Sequence, residues 1–220
     1  MSGTRQEVQV RREFDRTAAG YDESRLVKSF QRRAQMLTIS KMQIRNGMNI
    51  LDLGCGTGQG TIDIASRLEG TGRVIGLDLS QKMIERARQK LVGFEYDNVE
   101  FEVGSGGSLD YNLCFDCVIS TNAFHHFENK EDIFSRVRKS LKYYGVFIVQ
   151  DICDDYFLMK MVDLAGKIGE RAHVGSDTLE GLIKLFLTKG FKNILIDKIK
   201  LNWFWGIMIG MGTKPSGPNR

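Results

Sequence analysis

Two carboxylates and a run of glycines carry the chemistry this sequence holds. Glycines stand at 54, 56, 58 and 60, after the apolar Ile50, Leu51 and Leu53 and before Ile62, Ala65 and Leu68. Glycine takes backbone angles that other residues resist and lets the main chain approach a ligand closely. A helix that starts straight after such a loop offers unpaired N–H groups and a partial positive charge. Asp52 lies inside the apolar run, two residues before Gly54. Asp78 closes the next apolar run, Val74-Ile-Gly-Leu-Asp78. It falls close to the ~20-residue offset at which an acid grips ribose hydroxyls. A carboxylate there can accept from both the 2′- and 3′-hydroxyls. The pattern therefore describes a nucleotide-sized site at the carboxyl edge of a parallel sheet.

A second set of residues could move a proton. Thr121 and Asn122 end an apolar strand, where open α/β sheets bind ligands, and His125 and His126 follow at once. Either histidine could act as a base near neutral pH. Either could equally cap the next helix or satisfy a loop carbonyl. Asp151 ends a later strand and so also approaches the site. Metal chemistry is disfavoured, because adjacent histidines do not easily ligate one ion together. Cys114 and Cys117 look like a metal or redox pair, but residues three apart on a strand point to opposite faces. They read better as small buried side chains.

The elements that must position these groups follow from periodicity. Strands are expected at 50–53, 74–78, 99–103, 115–121, 145–151, 191–199 and 203–211. Helical stripes run through Leu26, Val27, Phe30, Ala34 and Leu37, through Met83, Ile84, Ala87 and Leu91, and through Ile133, Phe134, Val137 and Leu141. Ser80 is a good N-cap, and Ser176 is expected to start the last helix, over Leu179, Leu182, Ile183 and Phe186. Phe157, Met161, Leu164 and Ile168 mark an amphipathic helix within 152–175. A chain of 220 residues suits one domain. A net charge of +4 with no long Lys/Arg block gives no strong nucleic-acid signal. Neither a membrane-length apolar run nor an apolar leader is visible, so a cytoplasmic protein is expected. Residues 1–10 are expected to fray, and 215–220 to form a disordered tail.

The loop count separates possible nucleotides. A dinucleotide loop, G-x-G-x-x-G, would need its third glycine at 59 or 61, and those residues are Gln59 and Thr61. No Gly-Lys-Ser/Thr follows, so a Walker loop is absent. The G-x-G-x-G spacing with Asp52 upstream resembles motif I of the class I S-adenosylmethionine-dependent methyltransferases. Glu13-Phe-Asp-Arg-Thr-Ala-Ala-Gly-Tyr-Asp22 is similar to the segment before the core in the quinone-biosynthesis C-methyltransferases and their small-molecule relatives.

The resemblance spans about residues 13–214. It implies a Rossmann-like α/β three-layer sandwich with a seven-stranded, mostly parallel sheet of order 3-2-1-4-5-7-6, strand 7 antiparallel. It implies one domain over 1–214, in which 13–43 cover the cofactor and 152–175 build an acceptor pocket or lid. The cofactor implied is S-adenosylmethionine. Its contacts fall on Tyr21, Asp52, Gly54, Cys55, Gly56, Thr57, Gly58, Asp78, Leu79, Met83, Ser105, Gly106, Thr121 and Asn122. Catalytic candidates are His125, His126, Tyr21 and Asp151, and no metal is implied. Ser105 departs from the pattern, since the family usually places an aspartate there to accept from the adenine amino group. The partner implied is a small-molecule methyl acceptor, hydrophobic or aromatic. RNA or protein methylation, and a non-catalytic module that binds the same cofactor, stand as alternatives.

Overall fold

The computed structural model describes residues 4–21, 25–153, 178–201 and 206–217. Strand β1 (Asn49–Leu53) lies inside the sheet, with parallel partners on both of its sides. On one side come β2 (Arg73–Asp78) and then β3 (Val99–Val103), both parallel. On the other come β4 (Phe115–Thr121) and β5 (Leu141–Ile152), also parallel. Strand β7 (Gly206–Thr213) runs antiparallel to β5, and β6 (Lys192–Lys200) pairs antiparallel with β7 at the edge. The order is β3-β2-β1-β4-β5-β7-β6, as the resemblance implies.

Side-chain alternation along β1 divides the molecule into layers. Leu51 and Leu53 point into a core closed by α5 (Lys130–Ser140) and α6 (Leu179–Thr188), through Phe134, Val137, Leu182 and Phe186. Ile50 points the other way. It meets Ala34 of α2 (Arg25–Lys41), Ile62 of α3 (Gln59–Ala65) and Ala87 of α4 (Gln81–Leu91). Asp52 therefore also faces α3. Phe134, Phe147, Phe186 and Phe191 pack edge-on or tilted in the first core. Glycine is required beneath them: a Cβ at Gly212 would stand 2.5 Å from the Phe186 ring. Cys117 is buried in one core while Cys114 packs against the other, so this pair forms no common site. Burial pushes the Cys117 thiol up to about 12.

Several boundaries differ from the sequence expectation. From residue 4 on the chain does not fray: α1 (Arg5–Thr17) is closed by a capping box, with Thr4 Oγ1 accepting the Glu7 amide and Glu7 accepting the Thr4 amide. Two polar side chains satisfy orphan donors there, which an apolar count cannot register. Strand β5 begins at Leu141 rather than 145: Leu141 is already extended and pairs with Phe115, and an irregularity that includes Tyr144, at φ 64°, intervenes before Val146 pairs with Cys117. Thr178, not Ser176, caps α6, accepting the Gly181 amide at 3.1 Å. The terminal strands β6 and β7 are shifted by one to three residues. In the expected tail, Pro215–Gly217 are placed, and Gly217 packs on the Tyr143 ring. Most of the expected 152–175 insertion, from residue 154 on, lies outside the described residues, as do 218–220.

Candidate functional site

The carboxyl ends of β1, β2 and β4 open into one cleft of about 920 Å³. One corner of it is Asp78. This carboxylate accepts the Gly56 amide on Oδ2 at 2.8 Å and the Ser80 amide on Oδ1 at 2.9 Å. Burial raises its pKa above the usual carboxylate range despite those two amides, and Asp15 nearby adds to the rise. The loop after β1 hangs from β2: the Gly54 and Cys55 amides both donate to the Leu77 carbonyl, at 2.7 and 3.1 Å. Gly54 sits at φ 80°, and a Cβ there would meet the Ala123 side chain at 2.5 Å. Glycine at this point thus lets the β1 and β4 loops touch beside the bare backbone of the cleft.

The cleft brings most of the expected residues together. Gly54, Cys55, Gly56 and Thr57 line it, with Asp78, Leu79 and Met83 beside them. Ser105 and Gly106 form another wall, where the Ser108 hydroxyl closes the turn by accepting the Ser105 amide and donating to the Ser105 carbonyl. Thr121, Asn122, Tyr21 and His126 stand at the far end. Burial raises the Tyr21 phenol, and the Asp78 charge raises it further. Asn122 is held at φ 53° by Gln150, whose carbonyl takes its amide at 3.0 Å and whose side chain donates to Oδ1 at 3.1 Å.

Four expected residues do not line it. Gly58 turns toward Phe101 and Ala87. Asp52 is buried under the loop, accepts the Thr61 hydroxyl at 2.7 Å, and is pushed up to about 7 by burial. Its role there is to fix the start of α3, one step behind the cleft. His125 turns to Asp151, which takes its backbone amide and its Nδ1 at 2.8 Å each. Burial would raise Asp151, but the charge and hydrogen bonds of His125, helped by the Ile152 amide, hold it below the usual range. His126 is the histidine that reaches the cleft. Its ring lies 3.9 Å from that of His125 and meets Phe14 edge-on at 5.0 Å, centroid to centroid.

Methyltransferase domain is the description of the family model that matches residues 44–197, well over half of the chain. The chain belongs to this family. Among curated relatives, the methyltransferase domain is 35% identical over 107 residues to demethylmenaquinone methyltransferase of Lactococcus lactis, covering 48% of this chain and 42% of that one. It is 33% identical over 116 residues to phosphoethanolamine N-methyltransferase 1 of Arabidopsis thaliana, covering 52% and 23%. The chain thus spans less than half the length of these relatives. Among solved structures, phosphoethanolamine N-methyltransferase 2 of Haemonchus contortus, in complex with S-adenosyl-L-methionine, superposes with TM-score 0.70 at 17% identity, over 84% of this chain and 53% of that one. The [4+2]-cyclase SpnF superposes at 0.76 with 16% identity, over 96% and 97%. At such identities the likeness shows the fold alone.

The cleft also holds residues that pattern reading passed over. Helix α1 covers the cleft with Glu7, Val10 and Phe14, and α2 adds Gln31, Arg32 and Gln35. Gln35 donates to the Thr121 hydroxyl at 3.1 Å, and Arg32 pairs with Asp63 of α3. Lys90 of α4 donates to Thr57 at 3.1 Å; burial and the nearby Arg32 lower its pKa. Gln31, Arg32 and Gln35 stand on a helix that the sequence places over the sheet, whereas Glu7, Val10 and Phe14 stand on α1, which periodicity did not mark. Among the described residues, no group of three or more His, Cys, Asp or Glu is placed to hold a metal, and no helix is long and apolar enough to cross a membrane.

Proposed function

We propose that the cleft holds S-adenosylmethionine and that the chain transfers its methyl group to a small molecule of hydrophobic or aromatic character. One observation carries the reading: Asp78, anchored by two backbone amides at the tip of β2, faces the cleft beside a loop whose backbone is bare. A carboxylate fixed in this way keeps lone pairs for the two hydroxyls of an unphosphorylated ribose. Leu79, Met83 and Ile133 offer apolar surface to a purine ring, and Ser105 and Gly106 lie where its edge would be met. Tyr21 and Asn122 supply a phenol and an amide for the polar end of the amino-acid moiety. The residues present therefore fit the group.

When bound, the sulfonium supplies a methyl group that is already electrophilic. The chain's task is to align and to exclude water. Helix α1 covers the cleft, and Gln35 and Gln150 fix Thr121 and Asn122 from behind. Alignment of this kind is worth ~7–11 kcal/mol of barrier. Where the acceptor must lose a proton, His126 is the histidine in the cleft placed to take it, with His125 and Asp151 setting its position and the Tyr21 phenol also in the cleft. The segment 152–175 is proposed to complete the acceptor pocket.

The relatives' names frame the acceptor screen. Calorimetry with S-adenosylmethionine, S-adenosylhomocysteine and NAD tests the cofactor. Methyl-transfer assays against reduced quinones, phenols, amines including phosphoethanolamine, and thiols test the acceptor. Binding of NAD in preference to S-adenosylmethionine would sink the cofactor reading. Binding without formation of S-adenosylhomocysteine from any acceptor would sink the catalytic one.

A further inference from the structure

A second pocket, of about 340 Å³, opens at the opposite end of the sheet, by the amino ends of β4 and β5. It lies between the end of α5, the turn before β4 and the residues after β7. Three cations line it, Arg138, Lys139 and Lys214, and Lys139 is paired with Asp110. Lys214 is only 7% exposed, its ammonium drawn inward to the Leu141 carbonyl at 2.7 Å and set 5.3 Å over the Tyr143 ring. Arg138 lies close enough to lower the Lys214 pKa, in addition to burial. The Arg138 Nε–H is buried and has no acceptor among the described residues. Buried donors in folded proteins nearly always find a partner, so an unmatched one needs a reason.

The rest of the lining suits an anion. Asn112, Ser135 and Ser216 bring an amide and two hydroxyls, and no carboxylate lines the pocket among the described residues. Of the neighbouring carboxylates, Asp110 is taken by Lys139 of the pocket's own lining at 2.8 Å and Asp116 by Lys142 at 2.7 Å. The backbone around the pocket is also constrained: Leu113 and Tyr144 both hold left-handed angles, φ 53° and 64°. Strain at non-glycine residues tends to gather where a ligand is clamped. Backbone pairs tie the two walls together, Tyr144 N–H to the Lys214 carbonyl and Lys214 N–H to the Gly145 carbonyl, both at 2.9 Å.

We propose that this pocket binds a phosphate group, free or carried on a small molecule, between Arg138 and Lys214. A guanidinium presents a planar fork that matches phosphate oxygens, and a second cation with hydroxyl donors completes the shell. Tyr143 provides an aromatic wall for whatever the phosphate carries. The site is independent of the cofactor cleft and of any acceptor.

The test is titration of the full chain with inorganic phosphate and with glycerol phosphate, at ionic strength held constant with chloride, followed by calorimetry and phosphorus NMR. Saturable binding is expected. Arg138→Gln should weaken it at least tenfold. Ser216→Glu, on the exposed rim, should do the same by pairing with Lys214, and it keeps the test sound should the arginine variant fold poorly. S-adenosylmethionine affinity should stay unchanged in Ser216→Glu. Glycerol phosphate binding as well as or better than phosphate would identify a carried group as the ligand; phosphate alone would identify the free ion. Phosphate binding no stronger than chloride, or equal binding by wild type and Ser216→Glu, overturns the proposal.

Discussion

Asp15 on α1 accepts the Ser80 hydroxyl at 2.6 Å, across 65 residues of sequence. The same hydroxyl accepts the Met83 amide as the N-cap of α4, and the Ser80 amide donates to Asp78. Ser80 therefore links the helix over the cleft to the carboxylate at its corner. Asp15 also accepts the Lys82 amide at 3.3 Å, and Arg86 donates to the Ala19 carbonyl at 3.2 Å. Asp15 thus pins α1 to the first turn of α4, and Arg86 in the next turn holds the residues just after α1.

If that pin holds the cover in place, Asp15→Ala should loosen α1 without unfolding the sheet. A hydrogen bond to a charged group contributes ~1.5–3 kcal/mol, of which part is retained by Arg86. S-adenosylmethionine affinity should fall roughly tenfold by calorimetry, a loss of about 1.4 kcal/mol. Amide exchange in 5–17 should quicken while exchange in β1 stays slow. Unchanged affinity together with unchanged exchange in α1 would show that the contact is incidental.

Asp78→Ala removes the acceptor for both the Gly56 and Ser80 amides as well as the ribose contact. Binding of S-adenosylmethionine should drop below detection, while circular dichroism and the sheet's exchange pattern persist. Asp78→Asn retains one acceptor oxygen and should bind weakly but measurably. Wild-type affinity in either variant would mean that the ligand lies elsewhere.

Much of this fold was legible because its signals are local. Apolar runs and the glycine loop marked β1, β2 and the turn between β1 and α3, and the register of Asp78 with Gly56 followed from them. What stayed hidden depends on contacts between distant residues. Asp15 and Gln35 sit on helices whose outward polarity says nothing of the partner they meet, Ser80 and Thr121 respectively. Helix α1 lies outside the matched span of 44–197, so neither periodicity nor the family model announced it. Of two adjacent histidines, only the packing of Asp151 decides which one turns inward.

Asp52 gives the stability a pH slope. Its carboxyl is pushed up from 3.8 to about 7 by burial, so the folded state holds its proton more tightly than the unfolded state does. Between these values the native form carries more protons, and stability falls as pH rises, by up to ~4 kcal/mol. Asp52→Asn can still accept the Thr61 hydroxyl and has no proton to lose. Its stability relative to wild type should therefore improve from pH 4 to pH 8 in urea unfolding. A difference that does not vary with pH would show that Asp52 ionises normally in the fold.

His126 and the His125–Asp151 pair should separate by what they alter. His126 lines the cleft, so His126→Ala should lower kcat with an acceptor that must lose a proton, by the ~10²–10⁴ typical of a positioned base. It should barely affect an acceptor that needs no deprotonation. Asp151 is buried and its pKa is held below the usual range by His125. It therefore contributes stability that is present above the unfolded value of about 4 and is lost as pH falls through the lower folded one. Asp151→Asn should destabilise the fold at pH 7 by ~3–5 kcal/mol, the usual cost of breaking a buried pair, and by less below pH 4. His125→Asn should weaken kcat less than His126→Ala, because its ring acts through its neighbour. Equal losses in kcat from both histidine variants, with every acceptor, would remove the distinction between the group that takes the proton and the group that holds it in place.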